Sequence, residues 1–267
     1  MTPKFAVFGQ PIAHSKSPYI HQAFAAQRSQ SLAYERIGPE ENEFEDAVRT
    51  FFAEGGKGAN VTLPFKERAY AMCEVRTERA EQAQAVNTLW MEKGILHGDN
   101  TDGAGLLADM IRNLNWKLIN KRILVVGAGG AVRGVLGCLL TAGAEEVVIT
   151  NRTYERAQGL AEQFSLRAVA LEDLHQEAPF HIIINGTSAS LAGEGLALPS
   201  SLLAENACCY DMMYGEETPF MQWAQRHGAQ VSDGLGMLVQ QAAESFYRWH
   251  NWRPATMAVL QSMRQQV

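Results

Sequence analysis

The stretch Ile123-Leu124-Val125-Val126-Gly127-Ala128-Gly129-Gly130-Ala131 decides the fold. Four consecutive apolar residues, preceded by Arg122, read as a strand covered on both faces, and the glycines turn the chain into a helix running from Gly130 to Thr141. Outward from it the rhythm repeats: strand Glu146 to Thr150, helix Thr153 to Phe164, then strands near Arg167, His181 to Asn185, Ala207 to Asp211 and Gln230 to Val231. Strands separated by helical crossovers pair in parallel. Ile182-Ile183-Ile184, apolar at consecutive positions, has the composition of a central strand. This half of the chain is expected to be a doubly wound nucleotide-binding domain.

Gly127, Ala128, Gly129, Gly130 and Ala131 are the expected cofactor loop. Glycine lets the backbone approach a pyrophosphate, whose charge then rests on free N–H groups at the positive end of the helix. The third glycine position of the usual fingerprint is Val132, which predicts either a slightly wider spacing between helix and strand or a variant pyrophosphate turn. After the second strand an acidic residue would hold the ribose 2′-hydroxyl of NAD. The chain instead reads Asn151-Arg152-Thr153, with Arg156 one turn on. Two guanidiniums beside short polar side chains suit a 2′-phosphate, so NADP is the expected cofactor.

The first hundred residues alternate in a less regular way. Lys4 to Phe8 reads as a strand. Ser17 and Pro18 open a helix through Arg28, with Ser17 as its cap. Leu32 to Ile37 is a strand, and Asn42 caps a helix carrying Phe44, Val48, Phe51 and Phe52. Ala59 to Leu63 is the next strand, Pro64 opens a helix through Met72, and Thr77 caps another. Val86 to Met91 and Ile95 to His97 form a hairpin turned at Gly94. After Gly236 the chain reads as helix to its end.

Across the 267 residues, 46% are hydrophobic and 19% charged, a globular composition with material for a sizeable core. The net charge of −6 and the lack of a basic patch exclude nucleic acid and anionic membrane as expected partners. Ile123 to Ala144, the most apolar stretch, carries Arg133 and several glycines and does not read as a membrane span. The start has no signal-peptide core. The four cysteines form no CxxC pair, so the expected location is the cytoplasm. The seven histidines are scattered, and no metal site is expected. A nucleophile elbow of the GxSxG type is absent.

Three polar segments lie at strand ends, where open α/β sheets place ligands: Ser15-Lys16-Ser17-Pro18, Asn60-Val61-Thr62-Leu63-Pro64-Phe65-Lys66, and Asn87 with Asp99-Asn100-Thr101-Asp102-Gly103. Singly, each reads as capping, and Lys66 as a solvated lysine. Together with AVNTL, GAGGA, NRT, DMMYG and DGLGMLVQQAA, in this order along nearly the whole chain, they resemble the shikimate dehydrogenase family.

That resemblance implies an NADP-dependent oxidoreductase interconverting 3-dehydroshikimate and shikimate in aromatic amino acid (chorismate) biosynthesis. It implies two α/β domains: a substrate domain, residues 1–102 completed by 237–267, and a Rossmann NADP domain, residues 103–236. Carried over by motif, Lys66 and Asp102 are the catalytic pair. A protonated lysine stabilises and then protonates the oxygen that gains charge as hydride reaches its carbon, while Asp102 orients the lysine and keeps it charged. Ser15 and Ser17, assisted by Tyr214, hold the substrate carboxylate; Thr62, Asn87 and Gln241 read the ring hydroxyls. Glu78, Met212 and Gly234 belong to the nicotinamide end. A quinate/shikimate enzyme of broader specificity using NAD, and a non-catalytic dinucleotide sensor on the same fold, are the alternatives. Partners are expected to be small molecules, with the chain a monomer or homodimer.

Overall fold

The computed structural model describes residues 2–187 and 198–265. Its backbone divides into two units, Met1–Gly105 with Leu238–Val267, and Leu106–Met237. The first contains β1 (Lys4–Phe8), α1 (Ser17–Ala26), β2 (Ala33–Ile37), α2 (Phe44–Ala53), β3 (Gly58–Val61), α3 (Lys66–Met72), β4 (Val75–Arg76), α4 (Glu78–Ala83), β5 (Thr88–Glu92), β6 (Ile95–Asp99) and the start of α5 (Asp102–Ala108). The strands form a six-stranded sheet of order β2-β1-β3-β5-β6-β4. It is mixed: β1 runs parallel to β2 and β3, β5 antiparallel to β3 and β6, and β4 parallel to β6. Lys93 at φ 52° and Gly94 at φ 81° turn the β5–β6 hairpin, the two left-handed residues a tight hairpin turn demands. On one face, Phe44, Val48, Phe51 and Phe52 of α2 pack onto the sheet, and the Phe44 and Phe51 rings meet Phe8 edge-on.

The second unit contains β7 (Arg122–Val126), α6 (Gly130–Thr141), β8 (Glu146–Thr150), α7 (Tyr154–Phe164), β9 (Arg167–Ala168), β10 (Phe180–Asn185), β11 (Leu203–Asp211), α8 (Pro219–Arg226) and β12 (Gln230–Ser232). All six strands are parallel, in the order β12-β11-β10-β7-β8-β9. Strand order reverses between β7 and β10, which opens a crevice at their carboxyl ends. Register brings Val126, Thr150, Asn185 and Asp211 level along that edge. Alternate residues of the same strands feed two cores. Ile123, Val125, Ile149 and Ile184 pack on one side of the sheet, Leu124, Val126, Val148 and Ile183 on the other, which is why the strands read as unbroken apolar runs.

Val132 is wholly buried on α6. The residue that makes room for it is Gly186, just past β10, where an added Cβ would come within 2.4 Å of a Val132 methyl. The bulk at the third fingerprint position thus faces a glycine on the neighbouring strand end.

From α9 (Leu235–His250) the chain returns to the first unit and ends in α10 (Met257–Arg264). The continuous terminal helix read from the sequence is therefore two helices. Pro254 falls in the gap and cannot donate the bond a helix needs there. Three other local readings change. Lys16, not Ser17, is the N-cap of α1, and no side chain caps it. Asn42 sits inside a 3-10 turn, Glu41–Glu43, ahead of α2 and caps nothing. The helix after Pro64 starts at Lys66.

Asp99, with its side chain fully buried at the end of β6, ties these parts together. Arg79 grips both carboxylate oxygens at 2.7 Å, Thr77 donates at 2.6 Å and Arg248 of α9 at 3.1 Å. Burial alone would raise the Asp99 pKa; Arg79, Thr77 and Arg248 outweigh it and hold the carboxyl below its usual range. A depressed carboxylate stabilises the fold above its unfolded pKa of about 4, and that stability is lost as pH falls through the folded value. Asp99→Asn is therefore expected to lower Tm at pH 7, with the gap to the parent narrowing as the pH is taken below about 4; a constant gap in melting curves would contradict the assignment. For the second unit, Gly186→Ala should destabilise through its overlap with Val132, and Val132→Ala in the same chain should recover part of the loss. Additive destabilisation in the double variant would show that the two sites do not touch.

Candidate active site

In the first unit, Lys66 and Asn87 converge on the carboxylate of Asp102. Lys66 is the first residue of α3, Asp102 the first of α5, and Asn87 immediately precedes β5. Lys66 Nζ donates to Asp102 Oδ2 at 2.7 Å, and Asn87 Nδ2 donates to Asp102 Oδ1 at 2.8 Å. The lysine side chain is 17% exposed and the aspartate 8%, so the pair stands at the boundary between solvent and interior. Gln241 of α9 places its Oε1 3.3 Å from both Asn87 Nδ2 and Thr101 Oγ1, and its own amide is held by the Leu238 carbonyl. Lys66, Asp102, Asn87 and Gln241 thus form one polar cluster.

Ser15 and Ser17 form a second. Ser15 Oγ donates to Ser17 Oγ at 3.2 Å and accepts the Ser17 backbone N–H at 3.3 Å. This explains why Ser17 does not cap its helix: its hydroxyl is turned to Ser15 and toward the Tyr34 phenol. Thr62 sits at the exit of β3, its backbone N–H bound to the Phe8 carbonyl at 2.8 Å and its carbonyl closing the turn to Phe65 at 3.0 Å. Arg36 clamps the Ser15 carbonyl through Nε and Nη2 at 2.9 and 2.6 Å. Arg36, Thr101 and Asn60 escaped the sequence reading as site residues. Thr101 and Asn60 lie inside segments already singled out, whereas nothing local to Arg36 marks it. Among the described residues no three His, Cys, Asp or Glu side chains are grouped to hold a metal, and no helix is long and apolar enough to cross a membrane.

In the second unit the glycine loop follows β7 directly. Gly127 has φ +117°, a conformation that L side chains rarely adopt, and turns the strand toward α6. Side chains at Gly129 and Gly130 would meet nothing within 4 Å, so the space above the first turn of α6 is open. The Gly129 cap supplies no side chain, which leaves the first N–H groups of a twelve-residue helix facing that space. Ala128 and Ala131 complete this loop. Asn151, Arg152 and Thr153 follow β8; Asn151 Nδ2 holds the Thr153 carbonyl at 2.9 Å, and Arg152 and Arg156 are exposed at the start of α7. These residues fit a dinucleotide carrying an extra phosphate: an open cradle of backbone donors lies at one strand end and two cations at the next.

Past β11, Met212 and Tyr214 lie on the loop led by Asp211, which accepts from the Met213 N–H at 3.0 Å, Thr218 at 2.5 Å and Asn185 at 3.1 Å. Burial raises the Asp211 pKa against the opposing effect of these three donors. Gly234 closes the same loop through its N–H to the Met213 carbonyl at 2.8 Å. Tyr214 is 37% exposed. Glu78 belongs to the first unit, where it is an exposed first-turn residue of α4 contacted by Gln82.

Residues 7–89 match the family described as the shikimate dehydrogenase substrate binding domain, residues 107–192 that of shikimate/quinate 5-dehydrogenase, and residues 234–267 the shikimate 5′-dehydrogenase C-terminal domain. The shikimate dehydrogenase (NADP(+)) of Alkalilimnicola ehrlichii is 54% identical, with 99% of each chain covered. Among solved structures, an Ael1 enzyme from Pseudomonas putida is similar at 44% identity and TM-score 0.93, with 98% of each chain covered. The shikimate 5-dehydrogenase of Thermus thermophilus, solved in complex with NADP(H) and shikimate, is similar at 34% identity and TM-score 0.89 over 100% of both chains. With three family domains matched in order and a relative at this identity over the whole length, the chain belongs to the shikimate dehydrogenase family.

Proposed function

We propose that this chain catalyses the reversible NADPH-dependent reduction of 3-dehydroshikimate to shikimate, with residues 1–102 and 237–267 as the substrate domain and 103–236 as the NADP domain. The observation that carries the reading is the Lys66–Asp102 pair, 2.7 Å apart, largely buried and pinned by Asn87.

NADPH, when bound, supplies the hydride; the rest falls to side chains. Lys66 Nζ faces the ketone oxygen as charge develops on it, stabilises that charge and delivers a proton. In the oxidative direction the same nitrogen takes the proton of the substrate hydroxyl. Asp102 aims Lys66 through Oδ2 while Asn87 occupies its other oxygen, so the carboxylate cannot rotate away. Ser15 and Ser17 hold the substrate carboxylate with Tyr214, and Thr62, Asn87 and Gln241 bind the ring hydroxyls. A site lined by such groups rejects analogues lacking a hydroxyl, because its own donors would go unpaired.

The backbone from Gly127 to Ala131 cradles the pyrophosphate. Asn151, Arg152, Thr153 and Arg156 take the 2′-phosphate, and Met212, Gly234 and Glu78 are assigned to the nicotinamide end. The unpaired cysteines suit a cytoplasmic enzyme, acting as monomer or homodimer.

The test is a steady-state assay at the nicotinamide absorbance band, with shikimate and NADP beside quinate and NAD. Turnover is expected for the first pair, and its absence would end the proposal. Lys66→Ala should lower kcat by ~10²–10⁴ with KM for shikimate little changed; a variant within a few-fold of the parent would make Lys66 an ordinary surface lysine. A charge-assisted hydrogen bond contributes ~1.5–3 kcal/mol, and ~1.4 kcal/mol is a factor of ten. Arg152→Ala should therefore cost NADP about one to two decades in kcat/KM and leave NAD almost unmoved. Equal losses for both cofactors would mean that Arg152 supports the loop and does not read the phosphate.

A further inference from the structure

An asparagine amide can present either a donor or an acceptor, and its neighbours decide which. Around Asn87 they leave one solution. Its Oδ1 faces the Thr101 backbone N–H at 2.9 Å, and an N–H can only donate, so this atom is the oxygen. The Thr88 hydroxyl lies 2.7 Å from the same oxygen and must give it its single proton. Thr88 Oγ1 can then only accept: Ser245 Oγ lies 2.7 Å away, its hydroxyl also within 3.2 Å of the Gln241 carbonyl, and Asn60 Nδ2 lies 3.3 Å away and also donates to Ser245 Oγ at 3.0 Å. The other Asn60 amide proton goes to the Asn87 carbonyl at 3.0 Å, an obligate acceptor, which fixes the Asn60 amide as well.

Asn60 Oδ1 accepts from Tyr34 Oη at 2.7 Å and lies 3.1 Å from His21 Nε2, which is therefore the protonated ring nitrogen. His21 is wholly buried and stacked on Tyr34 at 4.6 Å; burial lowers its pKa to about 3 and keeps the ring neutral. At the far end, Asn87 Nδ2 donates to Asp102 Oδ1 at 2.8 Å, and Thr101 Oγ1 at 2.9 Å and Gln241 Oε1 at 3.3 Å stand within reach of its second proton. The whole run has one direction, from Tyr34 through Asn60, Ser245, Thr88 and Asn87 to the carboxylate that Lys66 shares.

We propose that Thr88 is a positioning residue for the reaction: its hydroxyl, made a donor by Ser245 and Asn60, pins the Asn87 amide with its nitrogen toward Asp102 and so holds the Asp102–Lys66 pair in one orientation. Thr88 is fully buried and touches neither Lys66 nor Asp102, so it acts only through Asn87. The claim rests on the dehydrogenase reading for its kinetic consequence and on the hydrogen-bond geometry for its structural one.

Two substitutions separate hydroxyl from bulk. Thr88→Val keeps the shape and removes the donor, while Thr88→Ser keeps the donor and removes a methyl. Thr88→Val should lower kcat about five- to tenfold, the usual cost of one buried hydrogen bond, with KM for shikimate within about twofold, and Thr88→Ser should stay within about twofold of the parent in both. Parental kcat in Thr88→Val, or equal loss in both variants, would overturn the proposal. A packing role would reverse the order. Should melting curves show Thr88→Val unfolded, Ser245→Ala breaks the same run one link earlier and carries the same expected direction. A structural readout keeps the proposal separate from the function. By NMR on nitrogen-labelled protein, the Asn87 side-chain amide protons should exchange with solvent slowly in the parent and in Thr88→Ser, and faster in Thr88→Val. Unchanged exchange in Thr88→Val refutes the pinning even if the parent turns over shikimate. Changed exchange in a parent that does not turn it over leaves the pinning standing and removes the dehydrogenase reading.

Discussion

The carboxylate of Asp102 is the constraint around which the first unit is organised. At 8% exposure it has left most of its hydration behind, a loss worth several kcal/mol unless every lone pair finds a donor in good geometry. The donors must come from different parts of the chain, because its own loop offers too few. Lys66 arrives at the head of α3, Asn87 at the entrance to β5. The sheet makes that convergence reproducible. With β5 antiparallel to both neighbours, Asn60, Thr88 and Asp99 fall side by side across three strands. The polar run behind the site is therefore a consequence of register, and a slip of one residue would turn Thr88 to the other face.

Register also explains the placement of the buried charge at Asp99. Next to the site but not in it, Asp99 takes Arg79 from α4 and Arg248 from α9, which anchors the segment that presents Asn100, Thr101 and Asp102. The returning helix α9 then contributes Gln241 and Ser245 to the polar cluster. The site is thus assembled from both ends of the chain, with the intervening unit given over to the glycine loop and its parallel sheet.

How much of this was legible depended on the range of the cause. The second unit could be read almost strand by strand, since a parallel sheet buried on both faces writes itself as uninterrupted apolar runs. Thr77 was read correctly as a cap because a cap and the N–H it holds lie three residues apart. Ser17 and Asn42 have the right chemistry for caps but were claimed by other demands: Ser17 by the Ser15 and Tyr34 cluster, Asn42 by a 3-10 turn that delays α2 to Phe44. Val132 departs from the glycine fingerprint, and the glycine that faces it, Gly186, lies at the end of another strand, outside any local window. In the first unit the polar segments were visible as clusters, yet Lys66, taken alone, had the signature of any exposed helical lysine. Resemblance to the family named it, and the 2.7 Å contact with Asp102 supplies the physical reason.

The central claim is that Lys66 and Asp102 work as one unit, the carboxylate aiming the ammonium. A double-mutant cycle on kcat tests this most directly, with Lys66→Ala, Asp102→Asn and the two combined. Residues acting through a shared contact lose their effect only once, so the double variant is expected to be about as slow as the slower single variant. Losses that multiply, as for independent sites, would contradict the account.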